Sequence, residues 1–157
     1  MKLKLLISSL LICFLFSCGS SNESKKSNEI DSKQNVEMDV QSESIDKGIG
    51  PIENVKLNHH VDAEMSAIGK ATFDSKCSAC HKMNKRFIGP SLDLVTKRRS
   101  PEWIMNMILN PDEMVKENQA AKELLMEYIS PMANQSLTKE EARSILEYFI
   151  DNDNNKS

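Results

Sequence analysis

The stretch Cys77-Ser78-Ala79-Cys80-His81 decides how the chain is to be read. Two cysteines stand two residues apart and a histidine follows the second at once. Which chemistry such a cluster supports depends on the partners that the rest of the chain supplies. A structural zinc site takes four Cys or His ligands, and outside the cluster the only candidates nearby are His59 and His60. A thioredoxin-like pair calls for a βαβ setting, and no stretch alternates long enough to form a strand. A structural disulfide would leave the adjacent histidine and the small intervening residues without a role.

The remaining reading is a covalent haem c. Cys-x-x-Cys-His is the attachment signature, in which the two thiols join the porphyrin edge and the histidine ligates the iron. Cys77 and Cys80 are then the attachment residues and His81 the proximal iron ligand.

The N-terminus supports an exported chain. Lys2 and Lys4 precede an apolar run from Leu5 to Phe16, the charged and hydrophobic regions of a signal peptide. The run is too short for a membrane-spanning helix, which needs about 20 residues. Its ending, Leu15-Phe16-Ser17-Cys18, resembles the bacterial lipobox. That resemblance implies cleavage after residue 17, lipid on Cys18, and a lipid anchor on the periplasmic side of a bacterial membrane. Of four cysteines, Cys13 leaves with the signal and Cys18 carries lipid, so Cys77 and Cys80 alone remain.

Residues 18–61 are rich in Ser, Asn, Lys, Glu, Asp and Gln and carry no period, which predicts a disordered tether. Residues 62–151 form the head, and 152–157 a polar tail. The head is expected to be all-α, with about four short helices. The first runs from Asp62 to Cys77, with Met65, Ile68, Thr72 and Phe73 on its apolar face and Gly69 at a close crossing. The second starts at Ser100-Pro101 and stops before Pro111. A third covers Glu113 to Ile129 with a break near Asn118. The last runs from Thr138, which forms a capping box with Glu141, to Ile150, and buries Ala142, Ile145, Leu146 and Phe149. The connection from Lys82 to Arg99 is long, and loops of that kind in compact domains are usually functional. With aromatic residues at 5%, the core is thin and something other than side chains is expected to fill its middle.

Over residues 62–151 the head resembles a class I monohaem cytochrome c. Gly69 and Phe73 match the family's first helix, which crosses its last, and Gly89-Pro90 matches its Gly-Pro. The resemblance implies that the Pro90 carbonyl accepts the His81 ring N–H, and that Trp103 is the buried aromatic beside a haem propionate. Plain core packing is the other reading of Trp103. The region from Ile88 to Met114 also resembles cytochrome domains associated with nitrous oxide reductases.

For the distal iron ligand, Met105 and Met107 share the Trp103 helix, and Met114 and Met126 fall in helical patterns. Met132 follows Pro131 in a non-helical stretch before the last helix, where the family places its ligand. It is the expected ligand. An open sixth position, another methionine, or His59 or His60 are the alternatives.

The net charge of −3 gives no sign of nucleic-acid binding. Charge is segregated, however. Residues 70–99 hold eight basic side chains against Asp74 and Asp93, whereas residues 100–150 hold four basic against nine acidic. The expected function is an electron shuttle between respiratory partners that are acidic at the docking face. No nucleophile or acid–base pair suggests an enzyme. The alternative is a ligand-binding sensor or peroxidase-like haem protein with an open sixth position.

Overall fold

The computed structural model describes residues 45–156. The expected signal peptide, Cys18 and the expected tether up to residue 44 lie outside the described residues. Six helices follow one another: α1 (Ala63–Lys76), α2 (Val95–Arg98), α3 (Pro101–Leu109), α4 (Pro111–Glu117), α5 (Gln119–Tyr128) and α6 (Lys139–Asn154). No strand occurs among the described residues, so the fold is all-α.

The helix ends obey local chemistry. Asp62 caps α1 by accepting from the Met65 amide, and Ser100 caps α3 by accepting from Trp103, with Pro101 in the first turn. Thr138 and Glu141 form the capping box of α6. Each such cap is worth about 1 kcal/mol. Asn118 ends α4 and caps α5, so the expected third helix is two helices joined at that residue. The long connection after the motif also holds a helix, the single turn of α2.

α1 and α6 cross at their closest at Gly69. A Cβ there would lie 1.9 Å from the Ser144 carbonyl oxygen, so only glycine lets the two backbones approach this far. The seam continues on both sides of that point. Phe73 packs its ring against Tyr148 and Phe149, at centroid distances of 5.7 and 5.8 Å. Ser66 Oγ donates to Asp151 at 2.7 Å, and the Asp62 amide donates to Glu147 at 2.8 Å. On α6, residues 144, 147, 148 and 151 share one face. The buried face of α1 is therefore Ser66, Gly69 and Phe73, whereas Ile68 is half-exposed. The apolar face expected from Met65, Ile68 and Thr72 is thus corrected: a crossing this close has room for Ser and Gly but not for Ile.

A second correction concerns the tether. Residues 45–61 form no helix, yet they lie on the head as a strap. α3 holds them with a row of polar side chains spaced four residues apart. The Val55 amide donates to Glu102 at 2.8 Å and the Ile52 amide to Asn106 Oδ1 at 2.9 Å. Asn106 Nδ2 in turn donates to the Lys47 and Ile52 carbonyls, both at 2.9 Å. Asn118 Nδ2 donates to both carboxylate oxygens of Asp46. Ile52 enters the main core. Composition alone reads this segment as unfolded because what fixes it is backbone hydrogen bonding to buried side chains elsewhere.

The main apolar cluster joins Ile52, Phe73, Val95, Ile104, Ile108 and the α6 residues Ala142, Ile145, Leu146 and Phe149. A smaller one joins Trp103, Met114 and Ala121.

The Gly69→Ala substitution tests the crossing. Alanine is the better helix former by about 1 kcal/mol, but a backbone carbonyl in its path cannot rotate aside. A net loss of about 1–3 kcal/mol is expected from denaturant unfolding of the haem-loaded protein. Unchanged or raised stability would contradict the close approach.

Candidate haem site

The attachment motif is the continuation of α1. The Cys77 and Ser78 amides both donate to the Phe73 carbonyl, at 2.9 and 3.0 Å, and the His81 amide donates to Cys77 O at 2.9 Å. The chain then turns back on itself: the Gly89 amide donates to Cys80 O at 2.9 Å and Leu92 to Lys82 O at 3.2 Å. These bonds bring Pro90 under the histidine. His81 Nδ1 lies 3.2 Å from the Pro90 carbonyl oxygen. Because a carbonyl only accepts, the ring proton sits on Nδ1, and Nε2 keeps its lone pair for a metal. A Cβ on Gly89 would come within 2.5 Å of His81 Cε1, so the ring rests directly on a bare glycine.

Burial pushes the His81 imidazole below its ordinary pKa, with the Pro90 carbonyl partly opposing the shift. The neutral ring is the ligating form. Burial also pushes the Cys77 thiol up to about 11, and neighbouring Cys80 adds to the rise. Cys77 and Cys80 are not joined to each other, and Cys80 is exposed.

Cys77, Cys80, His81, Pro90, Trp103 and Met132 all line one cavity of about 230 Å³. Both apolar clusters contribute to its wall, one through Phe73, Ile145 and Phe149 and the other through Trp103 and Ala121. The loop from Ser130 to Ala133 supplies Met132. Met107, on α3, is the other methionine in the wall. His59 and His60 are exposed and do not line it. No group of three or more Cys, His, Asp or Glu suited to a metal occurs among the described residues, so zinc finds no complete ligand set. The donors present are two thiols, one imidazole and a thioether around an apolar hollow. That set fits a haem attached through its edge and ligated by nitrogen and sulfur.

Two placements refine the sequence reading. Trp103 is buried and lines the cavity, but its indole N–H donates to Asn118 Oδ1 at 3.1 Å. It presents a ring to the cavity while its donor is already engaged. The residues that bring charge to the wall are Lys76, Arg98 and Arg99, with the Arg99 guanidinium 4.7 Å from the Trp103 ring centroid. Sequence reasoning saw them only as part of a basic stretch. The pair of arginines directly before the Ser100-Pro101 cap was the signal that could have placed them. Met126, expected to pack in a helix, is instead 68% exposed.

Six helices around a hollow that opens onto a Cys-x-x-Cys-His turn define a covalent-haem protein of the class I type. Residues 66–150 match the cytochrome c family, to which the chain belongs. The solved structure of cytochrome c from Rhodothermus marinus is 42% identical, with a TM-score of 0.67, and the match covers 68% of this chain and 91% of that one. An engineered form of that cytochrome is 41% identical with a TM-score of 0.65, covering 67% and 91%. The engineered form bound to a carbene intermediate gives 42% and 0.63 over the same shares. No curated protein matches the chain. As a member of this family the chain is an electron-transfer haem protein and carries a covalently bound haem c.

Proposed function

We propose that the protein is a membrane-tethered monohaem cytochrome c that shuttles single electrons between respiratory partners, with haem held by Cys77 and Cys80 and ligated by His81 and Met132. The observation that carries this reading is the shared cavity, whose wall includes the two thiols, the imidazole and the Met132 loop. The haem iron, when bound, supplies the one-electron chemistry. The chain's part is to hold and shield. Pro90 fixes the His81 tautomer, Gly89 gives the ring its seat, and Phe73, Ile145 and Phe149 keep water from the interior. An enclosed apolar site and a soft sulfur ligand both favour the reduced state relative to an aqueous one.

Met132→Ala tests the ligand. Haem should stay attached, the long-wavelength ferric band that marks a sulfur–iron bond should vanish, and carbon monoxide should bind the ferrous protein. Met126→Ala should change neither spectrum nor stability beyond about 0.5 kcal/mol, since Met126 is exposed. Loss of the band on Met107→Ala, with Met132→Ala unaffected, would reassign the ligand. Carbon monoxide binding by the unaltered protein would instead favour an open, ligand-binding site.

The partners proposed are acidic redox proteins, with a terminal reductase as acceptor class. Support comes from the cavity-lining Lys76, Arg98 and Arg99 and from exposed Lys85 and Lys97 nearby in sequence. The likeness of Ile88 to Met114 to cytochrome domains associated with nitrous oxide reductases makes that enzyme the acceptor to try first. Electron delivery from the reduced protein should slow as salt rises from low values through about 0.15 M, where the Debye length is about 8 Å. Reversing Lys85 and Lys97 to Glu should slow it at low salt far more than at high salt. Rates indifferent to both changes would point to an apolar interface.

The anchor proposed is lipid on Cys18, which holds the head at the periplasmic side of a bacterial membrane. It rests on the lipobox-like Leu15-Phe16-Ser17-Cys18. No helix among the described residues is long and apolar enough to cross a membrane. Cys18→Ala should release the protein from membranes or leave it unprocessed. An unmodified Cys18 at the mature N-terminus would contradict the anchor.

A further inference from the structure

The loop that carries Met132 is bounded by two residues in left-handed backbone. Ile129, at the end of α5, has φ 53°, and Ser136, just before α6, has φ 55°. The two sites differ in chemistry. At Ser136 the turn is supported locally, because its amide donates to Asn134 Oδ1 at 2.8 Å. Ile129 has no such help. It is β-branched, it is 86% exposed, and it therefore gains almost no burial in exchange for an unfavourable conformation. The Ile129 amide closes α5 by donating to Leu125 O at 2.8 Å, the helix-end pattern that normally takes glycine or asparagine.

What holds that end in place comes from the loop that seats His81. Arg86 belongs to the loop that returns from His81 to Pro90. Its Nη1 donates to Glu127 Oε1 at 3.0 Å and its Nη2 to the Glu127 carbonyl at 3.1 Å. The guanidinium also lies 4.1 Å from the Tyr128 ring centroid. One side chain thus makes three contacts with the last two residues of α5, immediately before the strained Ile129. The carbonyl contact occupies one of the orphan acceptors at the helix end, where a cation is favoured. Tyr128 lines the cavity, as do Ser130, Pro131 and Met132.

We propose that Arg86 is a latch and Ile129 a strained hinge, which together set how readily the Met132 loop swings away and leaves the iron open to an outside ligand. This rests on the reading of Met132 as the distal ligand. The latch ties the loop that seats His81 to the helix end that leads into the Met132 loop, so both loops answer to one side chain. With Arg86 and Glu127 more than half exposed, the latch is a modest and salt-sensitive one. A device of that size shifts the rate of opening rather than the resting structure. The two residues act in opposite senses: Arg86 resists opening, while relaxation of the Ile129 backbone promotes it.

The test is the rate at which imidazole enters the ferric, haem-loaded protein. At saturating imidazole that rate is limited by release of the sulfur from iron, and no electron is transferred. Arg86→Gln should raise the limiting rate about fivefold at low salt. Arg86→Lys keeps the charge but loses the fork, and should fall between the two. Raising salt to roughly 0.5 M should bring the unaltered protein toward the Arg86→Gln rate while moving the variant little. Ile129→Asn, which tolerates left-handed backbone, should slow opening by a similar factor. The long-wavelength ferric band should persist in all three variants. If the unaltered protein lacks that band, the ligand reading fails and the latch fails with it. If the band is present and Arg86→Gln leaves the entry rate unchanged, the latch alone is overturned. Faster entry in Ile129→Asn would overturn the strained hinge.

Discussion

Everything in the head depends on how closely α1 and α6 can approach at Gly69. α1 runs straight into the haem-attachment turn, and α6 begins where the Met132 loop ends. Fixing the crossing of these two helices therefore fixes the spacing between the two ends of the site. The Ser144 carbonyl occupies the space that any side chain at residue 69 would need. Phe73, one turn on, then meets Tyr148 and Phe149 and closes the floor of the cavity. A backbone-to-backbone contact of this kind leaves little freedom for the helices to slide, which suits a protein that carries a covalently bound prosthetic group.

Around that crossing the fold is economical. Its two apolar clusters are small, and both face the same hollow. The haem-bearing form completes a core that the side chains leave open, since apolar wall that would otherwise meet water is covered. The strap formed by residues 45–61 serves the same end from outside. Pinned along α3 by Glu102 and Asn106, it covers the back of the helix that carries Trp103 and Met107. Asn118 extends this support, holding the Trp103 indole with one atom and Asp46 with another. Gly48, at φ 73°, lets the strap pass against Met114, whose sulfur a Cβ would meet at 2.8 Å.

What could be read from the sequence follows from how local each signal is. The caps at Ser100 and Thr138, the helix boundaries near Asp62 and Asn118, and the stops at Pro111 and Pro131 are determined by neighbouring residues and were legible. The Cys-x-x-Cys-His motif was visible for the same reason, because Cys77, Cys80 and His81 fall within five consecutive residues. The strap was not legible. Its partners lie about fifty or more residues away, and its own composition is that of an unfolded segment. The buried face of α1 was misread for a related reason: small residues at a tight crossing give no hydrophobic stripe, so Ile68 looked more inward than Ser66. Met126 looked like a packing residue, yet its helix turns it to solvent. The engagement of Arg86 with Glu127 and Tyr128 also lay beyond reach, since nothing near Arg86 announces a partner on α5.

The measurement that bears most directly on the central claim is a peptide map of the mature protein by mass spectrometry, matched to the reduced visible spectrum. The peptide containing Cys77 and Cys80 should carry one haem through two thioether bonds, with neither thiol free. A mature protein in which that peptide shows two free thiols, or a disulfide between them, would contradict it.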